Sequence, residues 1–267
     1  MDGAKGKFGV YQSEFLGTFI FLLCGIAGVA GLKLAGASLG QWEINIIWGL
    51  AVAMGVYVCG GVCGAHLSPS VTIALALFAG FDRRKVLPYI LAQFLAGFCA
   101  ATVAYLLYKG PFDAAIAAAG GDPAQMTALA GVFCTFPNPQ ITFSQAFLVE
   151  LVITAILMCL IMALGDEGNT APGARLGGLL VGLLVALIGA SFGPLTGFAM
   201  NAARDFGPRL FAFFAGWGND AMTGYPLNDK LSLPYFLVPL IAPIIGACLG
   251  AAIYKGVITR TLRRQQA

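Results

Sequence analysis

Two short polar segments interrupt an otherwise apolar chain, and they hold the residues whose chemistry could act on a solute. Residues 64–72 (GAHLSPSVT) and 197–205 (GFAMNAARD) each follow a long hydrophobic stretch and open a run of only about ten apolar residues. Ser68 and Asn201 offer hydrogen-bonding groups, and Arg204 offers several fixed donors. Interrupted apolar segments at matching places in two halves predict a site at the membrane midplane. We therefore expect a channel or carrier for a small solute.

The composition sets the class of protein that must position these segments. Of 267 residues, 59% are hydrophobic and 10% are charged, and the mean hydropathy is +0.85. Soluble domains carry about 25% charged residues, so the chain predicts a multi-span membrane protein. Its 36 glycines suit closely packed membrane helices. The net charge of +3 comes without a basic stripe with interleaved aromatics, so no nucleic-acid partner is expected.

The apolar runs predict an all-α membrane protein with six transmembrane helices and two re-entrant half-helices. Each full span has close to the ~20 residues needed to cross the bilayer. The predicted spans are 10–32, 43–62, 86–108, 145–165, 176–194 and 234–254. Segments 68–78 and 201–215 are too short to cross, and we expect them to enter from opposite faces. The stretch 110–142 is expected to be the longest loop, and the tail 255–267 is basic.

Positive charge predicts the orientation in the membrane. In the six-span arrangement, one side carries Lys5, Lys7, Arg83, Arg84, Lys85, Arg175, Lys255, Arg260, Arg263 and Arg264. The other side carries Lys33, Lys109 and Lys230, with Arg204 and Arg209 in the second short segment. Cytoplasmic loops are enriched in Lys and Arg. We therefore expect both termini and the loops 79–85 and 166–175 on the cytoplasmic side of a plasma (inner) membrane.

The two halves of the chain resemble each other. Residues 14–18 (EFLGT) and 150–154 (ELVIT) each precede a polar segment by roughly fifty residues. Three spans separate them, and an odd number inverts the second half relative to the first. We therefore predict a single channel domain over 1–267 with inverted repeats at approximately 8–110 and 143–257.

Several motifs together resemble the aquaporin superfamily, and more narrowly its bacterial glycerol facilitators. They are EFLGT at 14–18, GASLGQWE at 36–43, GAHLxP at 64–69, TGFAMNxARDFGP at 196–208 and GWGN at 216–219. The resemblance implies the aquaporin fold, assembled in the lipid bilayer as a homotetramer with one pore per subunit. It also implies passive diffusion of glycerol and other small neutral solutes, with water. No cofactor and no enzymatic activity are implied.

The chain departs from this family at its two Asn-Pro-Ala boxes. These read Ser68-Pro69-Ser70 and Asn201-Ala202-Ala203. By resemblance, the box asparagines cap the half-helices and donate to the passing solute, and Asn201 keeps that role. Ser68 is a suitable N-cap residue with Pro69 at N1. Ala202 lacks the ring that pre-sets the first turn, so we expect a looser midplane junction.

The resemblance also places a selectivity filter at Trp48, Gly189, Phe198 and Arg204. Arg204 would donate to the hydroxyl oxygens of a polyol. Trp48 and Phe198 would form an apolar corner for its carbon backbone, although packing alone is the commoner role of membrane aromatics. Gly189 would leave room that a histidine fills in a water-selective pore. An arginine inside the membrane is costly, which favours a functional role for Arg204.

Four further residues are expected to support the pore structurally. By resemblance, Glu14 and Glu150 accept backbone N–H groups of the loops that carry the half-helices. They could instead be proton-relay carboxylates of a coupled transporter. His66 is expected to hydrogen-bond the loop backbone near the first half-helix, and Asp205 to stabilise the second as a first-turn acid.

Other classes of function stay open or are disfavoured. A secondary transporter would also show inverted repeats and buried carboxylates, and the altered boxes are compatible with a weakly conducting or structural family member. An enzyme is not expected, because no nucleophile–base pair is evident. Cys59 and Cys63 are spaced C-x3-C with no second pair, so no metal site is predicted.

Overall fold

Six long helices and two half-length helices form the frame of the protein. The computed structural model describes residues 2–170 and 174–265, and all regular structure in these ranges is helical. The long helices are α1 (Asp2–Leu34), α2 (Gln41–Cys63), α4 (Val86–Leu107), α7 (Phe143–Leu164), α8 (Ala174–Thr196) and α11 (Leu237–Ile253). Each of them, α11 together with the helical turns that continue it to Gln265, includes a segment long and apolar enough to cross a membrane. The all-α membrane fold and its six spans are therefore confirmed.

The half-length helices are α3 (Pro69–Phe78) and α9 (Ala202–Ala212). Each packs between two long helices and meets the other end to end. α3 contacts α11 and α4, and α9 contacts α4 and α11. The contact between α9 and α4 is close, because a Cβ built at Gly97 would lie 2.7 Å from the carbonyl oxygen of Ala203. Small residues thus let the second half-helix sit deep in the bundle.

Glycine also sets the distance between the long helices. A Cβ at Gly246 of α11 would lie 2.2 Å from the carbonyl oxygen of Leu151 on α7, and one at Gly250 would lie 2.1 Å from that of Ala155. Real side chains do not tolerate such distances, so these positions require glycine. Backbone-to-backbone packing of this kind is the usual way in which membrane helices associate.

The prediction of one long loop over 110–142 is wrong. Its first part folds into α5 (Lys109–Ala119) and α6 (Pro123–Ala130). α6 begins there because the Asp122 carboxylate accepts from the backbone N–H of Gln125 at 2.8 Å, with Pro123 in the first turn. Within this stretch, the turn at 120–122 and the part from Gly131 to Thr142 lack helix.

The C-terminal third contains further short elements. The predicted half-helix 201–215 ends at Ala212, after which a π-helical turn (Phe213–Trp217) and α10 (Gly218–Thr223) follow. The basic tail continues α11 through a second π turn (Tyr254–Thr259) into α12 (Arg260–Gln265). Residues 171–173 of the predicted 166–175 loop and the last two residues of the tail lie outside the described residues.

Candidate solute pore

One cavity of about 210 Å³ runs along the meeting point of the half-helices. This space is large enough to admit several waters or one small polyol. Both halves of the chain contribute to its lining. Predicted site residues in the lining are Trp48, His66, Ser68, Phe198, Asn201 and Arg204. The remaining lining is largely aliphatic, so polar groups are concentrated at a few points.

Buried Glu14 holds the loop that precedes α3. Its carboxylate accepts from the backbone N–H of His66 at 3.2 Å and of Leu67 at 2.5 Å, and from Gln93 Nε2 at 2.7 Å. Ala65 and Leu67 have φ of +49° and +54°. Residues other than glycine adopt this left-handed region rarely, so external bonds must hold it. The loop at the cavity wall is therefore kept in shape by a carboxylate from α1.

Glu150 does the same for the loop that precedes α9. Its carboxylate accepts from the backbone N–H of Ala199 at 2.9 Å and of Met200 at 2.8 Å, and from Thr196 Oγ1 at 2.6 Å. Phe198 and Met200 have φ of +41° and +50°. The geometry supports the structural role expected of both glutamates by resemblance, and that role remains a prediction.

The two box positions differ in what their side chains do. Asn201 Oδ1 accepts from the backbone N–H of Ala203 at 2.9 Å and of Arg204 at 3.3 Å, which caps α9. Its Nδ2 donates to the carbonyl oxygen of Leu67 at 2.7 Å, across the junction. Asn201 therefore caps one half-helix and ties it to the loop of the other.

Ser68 occupies the N-cap position of α3, with Pro69 in the first turn, as expected from the sequence. Its side chain makes no capping bond, however, and its Oγ has no hydrogen-bond partner among the described residues. The same holds for Ser70 Oγ. The Ser68 hydroxyl therefore provides no capping bond to α3, although the residue itself occupies the predicted N-cap position.

His66 also differs from expectation in its partner. Its Nδ1 lies 3.1 Å from Thr72 Oγ1, a side chain of α3, instead of a backbone group of the loop. The ring packs against Phe81 and Tyr89, with centroids 4.4 Å and 4.9 Å away. Two aromatic rings thus hold the imidazole, and the Thr72 hydroxyl is its hydrogen-bond partner.

Three of the four predicted filter residues meet at the cavity wall. The Arg204 guanidinium lies over the Trp48 ring at 4.2 Å, and its Nη1 donates to the carbonyl oxygen of Phe133 at 3.1 Å. Phe198 lines the same cavity. A Cβ at Gly189 would lie 2.6 Å from Asn45 Oδ1 and 2.9 Å from atoms of the Phe198 ring. Gly189 therefore makes room for the Asn45 side chain and the Phe198 ring.

A buried ion pair behind Arg204 was missed by the sequence analysis. Asp205 accepts from Arg209 Nε at 2.7 Å, and both side chains are fully buried. Asp205 also accepts from the backbone N–H and the Oγ1 of Thr135, each at 2.7 Å. Arg209, which the sequence analysis counted with the cations of one membrane side, is thus a structural residue. Because the pair fixes the 131–142 loop, it positions the Phe133 carbonyl that orients Arg204.

Comparisons with known proteins point to one family. The family model described as Major intrinsic protein matches residues 6–254. The chain is 56% identical over 253 residues to the glycerol uptake facilitator protein of Escherichia coli (strain K12), covering 94% of this chain and 88% of the relative. It is 53% identical over 264 residues to the propanediol uptake facilitator PduF of Salmonella typhimurium, covering 98% and 97%. The X-ray structure of the aquaglyceroporin from Plasmodium falciparum is similar with a TM-score of 0.82 and 32% identity, covering 95% of this chain and 98% of that one.

Proposed function

The chain belongs to the major intrinsic protein family, and we propose that it is a passive channel for glycerol and other small neutral solutes, with water. The observation that carries this proposal is the amphipathic constriction at the cavity wall. Trp48 and Phe198 present apolar rings, and Arg204 presents a guanidinium held by the Phe133 carbonyl. A polyol has a carbon edge and a hydroxyl edge, so both of its edges find a matching surface there.

The same geometry suggests how a solute moves. Arg204 and the second hydrogen of Asn201 Nδ2 donate to hydroxyl oxygens. The backbone N–H groups of the two loops donate to Glu14 and Glu150. The backbone carbonyl oxygens of the loops are therefore the acceptors for solute hydroxyls. A solute that replaces its water hydrogen bonds with these groups one at a time crosses without binding tightly at any point. Conduction requires such weak binding.

Electrostatics oppose the passage of cations and protons. The N-terminal ends of α3 and α9 meet at the cavity, at Ser68 and Asn201. A helix N-terminus carries roughly half a positive charge, so the junction is electropositive. Arg204 adds a full positive charge on the same path. Neutral solutes experience neither barrier.

We further propose a cytoplasmic location of both termini, an inverted relation between the repeats, and a homotetramer. The excess of Lys and Arg on the side of the termini supports the orientation. The matched hydrogen bonds of Glu14 and Glu150 support the repeat. The outer face of α4 exposes Leu87, Leu91 and Leu95, which suits contact with lipid or a neighbouring subunit.

Stopped-flow light scattering on proteoliposomes tests the proposal. We expect glycerol and water flux well above that of empty vesicles, unchanged when a proton or sodium gradient is imposed. The matched variant is Arg204→Lys, which keeps the charge but loses the planar fork, and we expect it to lower glycerol flux more than water flux. Water flux without glycerol flux would refute the solute assignment, and gradient-driven flux would indicate a secondary transporter.

A further inference from the structure

Two thiols and a carboxylate converge behind the loop that precedes α3. A carboxylate oxygen of Glu14 on α1 and the Sγ atoms of Cys59 and Cys63 on α2 all lie within 4.8 Å of one another, and all three side chains are buried. Cys59 and Cys63 are one helical turn apart, so their side chains share a face. Gly17 leaves space for the Cys59 thiol, since a Cβ there would lie 2.3 Å from its Sγ.

We propose that this cluster is an inhibitory binding site for a thiophilic divalent cation such as Zn²⁺. Two sulfurs and one carboxylate oxygen form a donor set that Zn²⁺ accepts, at about 2.3 Å from sulfur and about 2.0–2.2 Å from oxygen, with a fourth position open. The three donor atoms already lie within 4.8 Å of one another, and side-chain rotation would bring them to a shared ion. Hard cations such as Mg²⁺ prefer sites made of oxygen alone, so the two sulfurs select against them.

The charge balance favours a divalent ion. Each thiol releases one proton to solvent on binding, so two thiolate charges cancel the two charges of the cation. The cluster then keeps the single negative charge of Glu14 that it has without the ion. No additional net charge is buried, which avoids the main cost of placing an ion inside a protein.

The site is coupled to the pore by the groups that it shares with the loop. The Glu14 carboxylate that would bind the ion also accepts from the backbone N–H of His66 and Leu67. Cys63 Sγ accepts from the backbone N–H of Ala65 at 3.4 Å. Ala65 and Leu67 have left-handed φ, so they depend on these bonds. An ion bound to Glu14 and Cys63 would compete with these N–H groups for the lone pairs of the carboxylate and the sulfur. The loop that precedes α3 would then relax into the cavity, and solute flux would fall.

Binding is tested first in detergent, with Cd²⁺ as the probe because its thiolate complexes absorb in the ultraviolet. The test variant is Cys59→Ser with Cys63→Ser, whose hydroxyls can still donate to the carbonyl oxygens that the thiols now use. The matched control is Cys159→Ser with Cys248→Ser. We expect one Cd²⁺ per chain with the thiolate band in parent and control. In the test variant we expect no thiolate band and an affinity lowered at least about 100-fold, which is what loss of an outer-shell partner can cost. Equal binding in all three would overturn the proposed site.

Inhibition is tested in proteoliposomes, and only this arm rests on the proposed function. We expect Cd²⁺ and Zn²⁺, but not Mg²⁺, to bring glycerol and water flux of parent and control towards that of empty vesicles, with recovery on adding a chelator. The flux of the test variant, compared with its own flux without metal, should not change on adding any of the three ions. Binding without loss of flux would overturn the inhibitory role. Absence of glycerol flux before any metal is added would count against the proposed function and leave the binding result standing.

Discussion

Replacing Glu150 by glutamine removes one acceptor from the loop that precedes α9 while keeping the size of the side chain. Glu150 Oε1 accepts from Thr196 Oγ1 and the Ala199 N–H, and Oε2 accepts from the Met200 N–H at 2.8 Å. A glutamine oxygen in the Oε1 position keeps two of these bonds. Its NH₂ group then faces the Met200 N–H, donor against donor, in a fully buried place.

The cost follows from the two donors left unpaired. Each buried donor without a partner costs about 1–3 kcal/mol. A neutral amide is easier to bury than a carboxylate, which offsets part of this cost, so we expect a loss of unfolding free energy of about 2–3 kcal/mol. That is a large share of the about 5–15 kcal/mol that stabilises a typical domain. The variant should fold with a lower yield.

The same change at Glu14 should cost less. Its Oε1 accepts from the Leu67 N–H and from Gln93 Nε2, and only the longest bond, 3.2 Å from the His66 N–H, involves Oε2. A glutamine oxygen in the Oε1 position keeps both of those bonds, so its NH₂ group opposes only the most weakly bound donor, the His66 N–H. We therefore expect Glu150→Gln to be more damaging than Glu14→Gln.

The assay is the yield of monodisperse protein in detergent and its thermal unfolding, with Glu167→Gln, at an exposed position, as the control. The expected order of stability is parent and control, then Glu14→Gln, then Glu150→Gln. Equal stability of all four would refute the structural role of the glutamates. If stability were normal and a pH dependence of flux were lost, the carboxylates would be proton-relay groups instead.

Two further predictions concern the pore wall. Gly189→Ala places a Cβ 2.9 Å from Phe198 ring atoms, so we expect overpacking of about 1–3 kcal/mol and a lower ratio of glycerol to water flux in proteoliposomes; an unchanged ratio would contradict the assigned contact. Ser68→Asn with Ala202→Pro adds a capping side chain worth about 0.5–2 kcal/mol and a ring at a first-turn position, so melting temperature and glycerol flux should both rise. No change in either, or cation currents through the parent in planar bilayers, would show that the box positions act differently.

The spans and half-helices could be predicted from the sequence because each depends on local features. Length and hydropathy identify a crossing helix, and a polar N-cap followed by about ten apolar residues identifies a half-helix. The region 110–142 was mispredicted because its glycines, proline and aspartate are typical of loops. The structure uses them differently, with Asp122 as the N-cap of α6 and Gly120 in the left-handed region after α5.

The pore wall was predicted only in part, because several of its contacts join residues far apart in sequence. The Asp205–Thr135 bonds span 70 residues, and no local pattern indicates them. The Asp205–Arg209 pair could have been found, since residues four apart on a helix are neighbours. Cys59 and Cys63 were judged without Glu14, because only the packing of α1 against α2 brings that carboxylate to them.

The altered boxes are tolerated because the junction is held mainly from outside. Of the two box positions, Asn201 both caps its helix and reaches Leu67, whereas Ser68 does neither through its side chain. If the boxes alone held the junction, the α3 side would lack support. Glu14 and Glu150, however, each bind two backbone N–H groups next to the junction. A charge-assisted bond is about twice as strong as a neutral one, so these four bonds outweigh one lost amide.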